Sequence, residues 1–148
     1  MPQILKEYVE TGKVKYVVKD FPLEAIHKQA FKAAEATRCA GEQGKFWQMH
    51  DQLFANQRAL DVKDMAGHAQ AIGLDGGKFE QCLESGKQAA GIRKDLGDAQ
   101  TAQVRATPTF FFGVTDGSGK LRATRMLRGA ESFNGFKVAI DDLLGGQK

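Results

Sequence analysis

The feature that most limits what this chain can fold into is the gap between its strand patterns. Residues 13–20, within "GKVKYVVKD", alternate: Val14, Tyr16 and Val18 stand against Lys13, Lys15 and, less cleanly, Val17, and Pro22 ends the run. The next strand-like run is "TFFFGV" at 109–114. Everything between reads as helix, in five apolar stripes. Ile26, Ala30, Ala33 and Thr37 form the first, and Phe46, Met49, Leu53 and Phe54 the second. Val62, Met65, Ala69 and Ile72 form a third that stops at Gly73, and Phe79, Cys82 and Leu83 mark a short fourth. Ile92, Leu96, Ala99 and Gln103 trace the fifth, weakened by Gly91 and Gly97. A chain built this way must bring its strands together across a long helical excursion.

The flanks complete the order. Ile4, Leu5, Tyr8 and Val9 predict a first helix that Gly12 closes. "TDGSGK" between "TFFFGV" and "LRATRMLRG" predicts a hairpin. A last helix starts near Ser132, buries Phe133, Phe136, Ile140 and Leu143, and stops at Gly145–Gly146. Helix, strand, five helices, strand, strand and helix indicate an α/β fold with a thin sheet and one strand absent before the first helix.

Composition excludes several function classes. The net charge of +3 comes from 21 basic and 18 acidic residues spread along the chain, which gives no basis for nucleic-acid binding. No apolar run approaches the roughly 18 residues of a membrane span. "MPQILKEYVETG" is charged and amphipathic rather than a signal peptide, so a chain starting truly at Met1 is expected in the cytoplasm. Cys39 and Cys82 form neither a C-x-x-C nor a metal-knuckle spacing. His27, His50 and His68 show no H-x₃-H pattern, so neither a metal nor another cofactor is expected. His50 with Asp51 reads as a packing hydrogen bond, and Trp47 as core of the helical block, with contact to a substrate as its other reading.

"VRATPTFFFG" carries the functional signal. The residue before a proline is driven to extended backbone, and Pro108 lacks an N–H, so it suits the first position of a strand and not its paired interior. The sequence leaves a cis or a trans Thr107–Pro108 bond open. The three phenylalanines that follow fit a strand buried on both faces.

"RATPTFFFG" resembles the cis-proline segment of DsbA-like thiol-disulfide oxidoreductases. "GKVKYVVKDFPL", "CAGEQGKFWQMHDQLF" and "FEQCLESGK" are similar, in the same order, to that family's strand and turn, helical core and return turn. The resemblance implies a thioredoxin-like fold with an inserted helical domain: 1–22 and 105–148 would form the thioredoxin-like part, lacking its first strand, and 23–104 the insert. It implies a periplasmic or other extracytoplasmic setting for the parent family, and extended or unfolded polypeptides as substrates. Thr107 would pair its backbone with the substrate, and Pro108 would face a reactive cysteine. In the family that cysteine belongs to a C-x-x-C at a helix N-terminus, where the helix dipole favours the thiolate. This sequence has no C-x-x-C.

The expectation is therefore a chain truncated ahead of its redox pair and inactive alone. The alternatives are a redox-dead peptide-binding module, or a glutathione-dependent transferase or isomerase of the same fold. The resemblance also implies a structural disulfide between Cys39 and Cys82 in an oxidising compartment; in the cytoplasm both would be free thiols. A missing central strand leads us to expect either direct pairing of 13–20 with 109–114 or a homo-oligomer in which a second copy completes the sheet.

Overall fold

The N-terminal apolar stripe becomes helical in the computed structural model of the chain, which describes residues 2–146. A single α-turn, α1 (Pro2–Ile4), continues as a π-helical turn over Leu5–Val9, in which Glu10 N–H reaches back to Leu5 C=O at 2.9 Å. The chain divides into two compact units, Met1–Val18 with Gln103–Lys148, and Lys19–Ala102.

In the first unit a hairpin packs on one helix. Strands β1 (Thr109–Thr115) and β2 (Leu121–Arg128) pair antiparallel, with Phe110 opposite Leu127 and Phe112 opposite Arg125. Between Phe112 and Gly113 the register slips by one residue of β2, a bulge. Gly113 is required there, because a Cβ would fall on the backbone carbonyl of Arg122. The turn is organised by Asp116, whose carboxylate accepts from Ser118 N–H (2.9 Å), Ser118 O–H (2.6 Å) and Lys120 N–H (3.0 Å). Helix α7 (Phe133–Gly145) starts as its sequence predicts, with Ser132 Oγ accepting Gly135 N–H at 3.2 Å.

The core of this unit is Ile4, Tyr8, Phe136 and Ile140, with Val14, Phe110 and Phe112 against it. Alternation along β1 explains the choice: Phe110 and Phe112 share a face and meet Phe136 at ring-centroid distances of 4.7 and 6.0 Å. Phe111 lies on the opposite face and belongs to neither core cluster, so the run is not buried equally on both sides.

The strand expected at 13–20 does not form, and the expected direct pairing with 109–114 does not occur: the described sheet has two strands, β1 and β2. Exposure still alternates from Lys13 to Lys19 as the sequence pattern requires. Side-chain alternation decides which face is buried, but a strand also needs a backbone partner along its edge, and β1 does not supply one.

The second unit holds five helices: α2 (Ala30–Gly41), α3 (Phe46–Ala55), α4 (Val62–Ala71), α5 (Gly76–Ser85) and α6 (Ala89–Thr101). The first four share a core that includes Ala36, Cys39, Met49, Met65, Phe79 and Cys82. Cys39 on α2 and Cys82 on α5 form a disulfide with Cα atoms 5.8 Å apart, both nearly inaccessible to solvent. Three large stripe residues depart from expectation: Ile26, which precedes α2, is 69% exposed, Phe54 65% and Val62 59%. Trp47, expected in the core of the block, is 43% exposed. Periodicity names the face of a helix without naming what covers it.

Candidate functional site

Thr107 and Pro108 sit where the strand expectation puts them, directly before β1, joined by a cis peptide bond. Pro108 is tied into the hairpin through its carbonyl, which accepts Gly129 N–H at 2.8 Å, and Gly129 takes a positive φ of 86° to deliver it. Thr109 Oγ1 donates to Ala106 C=O at 2.7 Å, closing the loop on itself. Between these anchors Thr107 is exposed, and among the described residues its N–H and C=O have no backbone partner.

The register extends this finding along the strand. Because the Pro108 carbonyl points toward β2, strict alternation directs the backbone groups of Phe110 and Phe112 to β2 as well. The N–H and C=O of Thr109 and Phe111 therefore face the other way, along an edge with no described strand beside it. Sequence reasoning singled out Thr107 and Pro108 but missed these two. The signal was present as period two counted from Pro108, but its direction needs the pairing.

The site can hydrogen-bond an extended backbone. Its own residues contain no thiol, and the Thr109 hydroxyl is already engaged. Cys39 and Cys82 belong to the other unit and are bonded to each other. Of the histidines, His68 is buried and structural: its Nε2 donates to Ala59 C=O at 2.7 Å and its Nδ1 faces Gln52 Nε2 at 3.3 Å. His50 Nδ1 meets Asp51 Oδ1 at 2.9 Å and its ring packs on Phe54 at 4.6 Å. No cluster of three or more His, Cys, Asp or Glu residues able to hold a metal occurs among the described residues.

The sequence also gave no hint of the charged groups each unit gathers. In the first, Tyr8 O–H donates to Asp141 Oδ1 at 2.8 Å while Lys137 Nζ meets Asp141 Oδ2 at 2.5 Å. The Lys137 ammonium holds the Asp141 carboxyl below its ordinary range, and the Asp141 acceptor pushes the Tyr8 phenol up. In the second, Arg38 bridges Asp20 (2.5 Å) and Asp95 (2.6 Å), and Lys19 joins Asp95 (2.9 Å) to Asp98 (2.5 Å). Hydrogen bonds from Lys19 and Lys94 lower Asp98, and Asp98 and Asp95 in turn raise Lys19. These groups are tied to one another by ion pairs and hydrogen bonds, which marks them as structural.

Comparison with known proteins gives three findings. Residues 1–131 match the family model described as Thioredoxin. The crystal structure of Wolbachia pipientis alpha-DsbA1 is similar at a TM-score of 0.82 and 25% sequence identity, over 98% of this chain and 75% of that one. Among curated proteins, the Na(+)/H(+) antiporter NhaA 1 of Salinispora arenicola is 37% identical over 110 residues, covering 74% of this chain and 17% of the antiporter. NhaA 1 of Mycobacterium sp. (strain KMS) is 39% identical over 119 residues, covering 79% of this chain and 19% of the antiporter. The chain spans less than a fifth of the length of these relatives.

Proposed function

Because the chain belongs to the thioredoxin family, with the α/β architecture and helical insert of the DsbA-like thiol-disulfide oxidoreductases, we propose that it carries the peptide-holding side of such an enzyme's site. Thr107 and Pro108 are that side. The observation that carries the reading is the exposed, unpartnered backbone of Thr107, continuous with the outward-facing groups of Thr109 and Phe111. An extended polypeptide adds to such an edge by main-chain hydrogen bonds, which is how a protein can bind many unfolded sequences without reading their side chains. Pro108 offers no N–H to compete with that peptide.

The exchange chemistry needs a thiolate that attacks a disulfide sulfur, with a second thiol to resolve the mixed disulfide. The two cysteines of this sequence are committed to each other in the helical core. The 148 residues alone are thus expected to bind unfolded polypeptide and leave its disulfides unchanged. In this reading 1–22 with 105–148 form the binding part and 23–104 its insert. The buried Cys39–Cys82 bond favours an oxidising, extracytoplasmic compartment. The stretch shared with the antiporters is taken as the same kind of module. Ion transport is not assigned to it: no helix among the described residues is long and apolar enough to cross a membrane.

The test is an amide NMR titration of the 148-residue chain with an unfolded, thiol-blocked polypeptide, paired with an insulin-reduction assay. The Thr107 and Thr109 amides should shift on titration, and insulin reduction should proceed at the uncatalysed rate. Silence at both amides removes the binding assignment. Catalysed turnover would instead place a redox centre in Cys39 and Cys82.

A further inference from the structure

The cations around the Thr107 loop are of two kinds. Residues 103–131 hold the basic side chains Arg105, Lys120, Arg122, Arg125 and Arg128 against the acids Asp116 and Glu131. Arg125 is neutralised, its Nη1 meeting Asp142 Oδ2 on α7 at 3.0 Å. Arg105 and Arg128 are exposed and have no ion pair or side-chain hydrogen bond among the described residues. Neither acid answers them. Asp116 is engaged in the turn at the far end of the hairpin. The Glu131 carboxylate points at the first turn of α7, where a Cβ on Gly135 would meet its Oε2 at 2.9 Å. Both arginines flank Thr107 and Pro108. Arg105 precedes Thr107 by two residues, at most about 7 Å of extended chain. Arg128 stands opposite Thr109 in the ladder, next to the Gly129 N–H that holds the Pro108 carbonyl.

We propose that Arg105 and Arg128 select the polypeptide held at Thr107, favouring segments with aspartate or glutamate beside the bound backbone. This selection rests on the peptide-holding reading of Thr107 given above and adds the class of substrate to it. Main-chain hydrogen bonds to Thr107 accept any sequence. Discrimination therefore has to come from side chains at the margins of the loop, and there the only unanswered charges named are two guanidinium groups. An extended segment places successive side chains on alternate sides, so its residues next to the bound unit pass these flanks. A guanidinium takes a carboxylate through paired N–H donors. A lysine-rich segment meets two like charges with no acid between them. Pairs this exposed are weak and screened by salt, so the discrimination expected is about tenfold at low ionic strength.

The experiment is an amide NMR titration of the 148-residue chain with two thiol-blocked, unfolded peptides of equal length and apolar content. One carries glutamate and the other lysine at the same positions. The glutamate peptide should shift the Thr107 amide at about one-tenth of the concentration the lysine peptide needs. Salt at about 1 M, where the Debye length is about 3 Å, should bring the two together. Arg105→Gln and Arg128→Gln should each reduce the preference about threefold, and Arg128→Lys should retain most of it. Lys63→Gln on α4 removes the same charge from the helical unit and should leave the preference unchanged. Equal affinity for the two peptides at low salt overturns the proposal and leaves peptide binding at Thr107 in place. A loss on Lys63→Gln as large as on Arg128→Gln also overturns it, by tracing the preference to net charge. If neither peptide moves the Thr107 amide, the peptide-holding reading falls and this selection with it.

Discussion

The helical unit and the hairpin unit treat their backbone and polar groups in opposite ways. In Lys19–Ala102 side chains close two helix ends. Lys45 Nζ caps the last carbonyls after α4, those of Ile72 and Gly73, at 2.7 and 2.9 Å. Asp75 caps α5 from its N-terminal side, and a disulfide ties α2 to α5. Glu35, almost fully buried, is matched by Lys32 at 2.7 Å. In the other unit, among the described residues, Thr107 has no backbone partner, β1 has an open edge, and the extended run 13–18 has no ladder. Closed groups hold structure, and open ones are available to a partner. On the function proposed above, stability lies in one unit and recognition in the other.

The strongest way to break that contrast is to open the closed unit. Replacing both Cys39 and Cys82 by alanine frees a loop set by a sequence separation of 43 residues, and chain entropy puts the loss at about 4 kcal/mol. Urea unfolding followed by the helical circular dichroism signal measures it. The Thr107 and Thr109 amide shifts should persist in the variant at low denaturant. A midpoint unchanged from wild type would mean that the helices close without the bridge.

A smaller effect is expected at Arg38. Its guanidinium serves Asp20 and Asp95, and its tip lies where a side chain at Gly91 would have to go. Arg38→Met keeps the stem, takes from Asp20 its cation and leaves Asp95 with Lys19 alone. The cost should be about 2 kcal/mol, below the figure for a fully buried pair because all three side chains keep some solvent contact. Asp95→Asn in the same background should recover part of it. Full additivity of the two changes in a double-mutant cycle would deny that they act together.

Sequence pattern made much of this fold legible, for identifiable reasons. The "TDGSGK" turn and Ser132 act within a few residues of themselves, so local chemistry announced the hairpin and the start of α7. Pro108 was legible because a missing N–H restricts it to few places. The rest depended on partners distant in the chain. The run 13–20 has a strand's alternation without a strand's neighbour. Trp47 and Phe54, seven residues apart on α3, lie on a part of its surface that nothing fully covers. Asp20, Arg38 and Asp95 come from three separate segments, and no spacing rule connects them. The outward direction of Thr109 and Phe111 is fixed only once Pro108 is seen bonded to Gly129.

The smallest expected effect tests whether the contrast extends to acid. Asp98 in the helical unit is lowered by hydrogen bonds from Lys19 and Lys94. In the hairpin unit, Asp116 is lowered chiefly by the Ser118 hydroxyl and then by Lys120 N–H, and Asp141 by Lys137 and then Tyr8. Each folded carboxyl thus titrates below the ordinary aspartate value of 3.8. A depressed folded value means the stabilisation is complete above 3.8 and is lost as pH falls through the folded value. Lys19 and Lys137, raised above 10.5, give the mirror case: their contribution is present below 10.5 and lost as pH rises through the folded value. Both units should therefore weaken together at each extreme and hold a common plateau between. Carboxyl-carbon NMR titration reports the three aspartates directly, and thermal midpoints against pH report the consequence. If the hairpin signals alone collapsed on acidification while Asp98 kept its shifted titration, the difference between the units would lie in charge pairing as well as in open backbone.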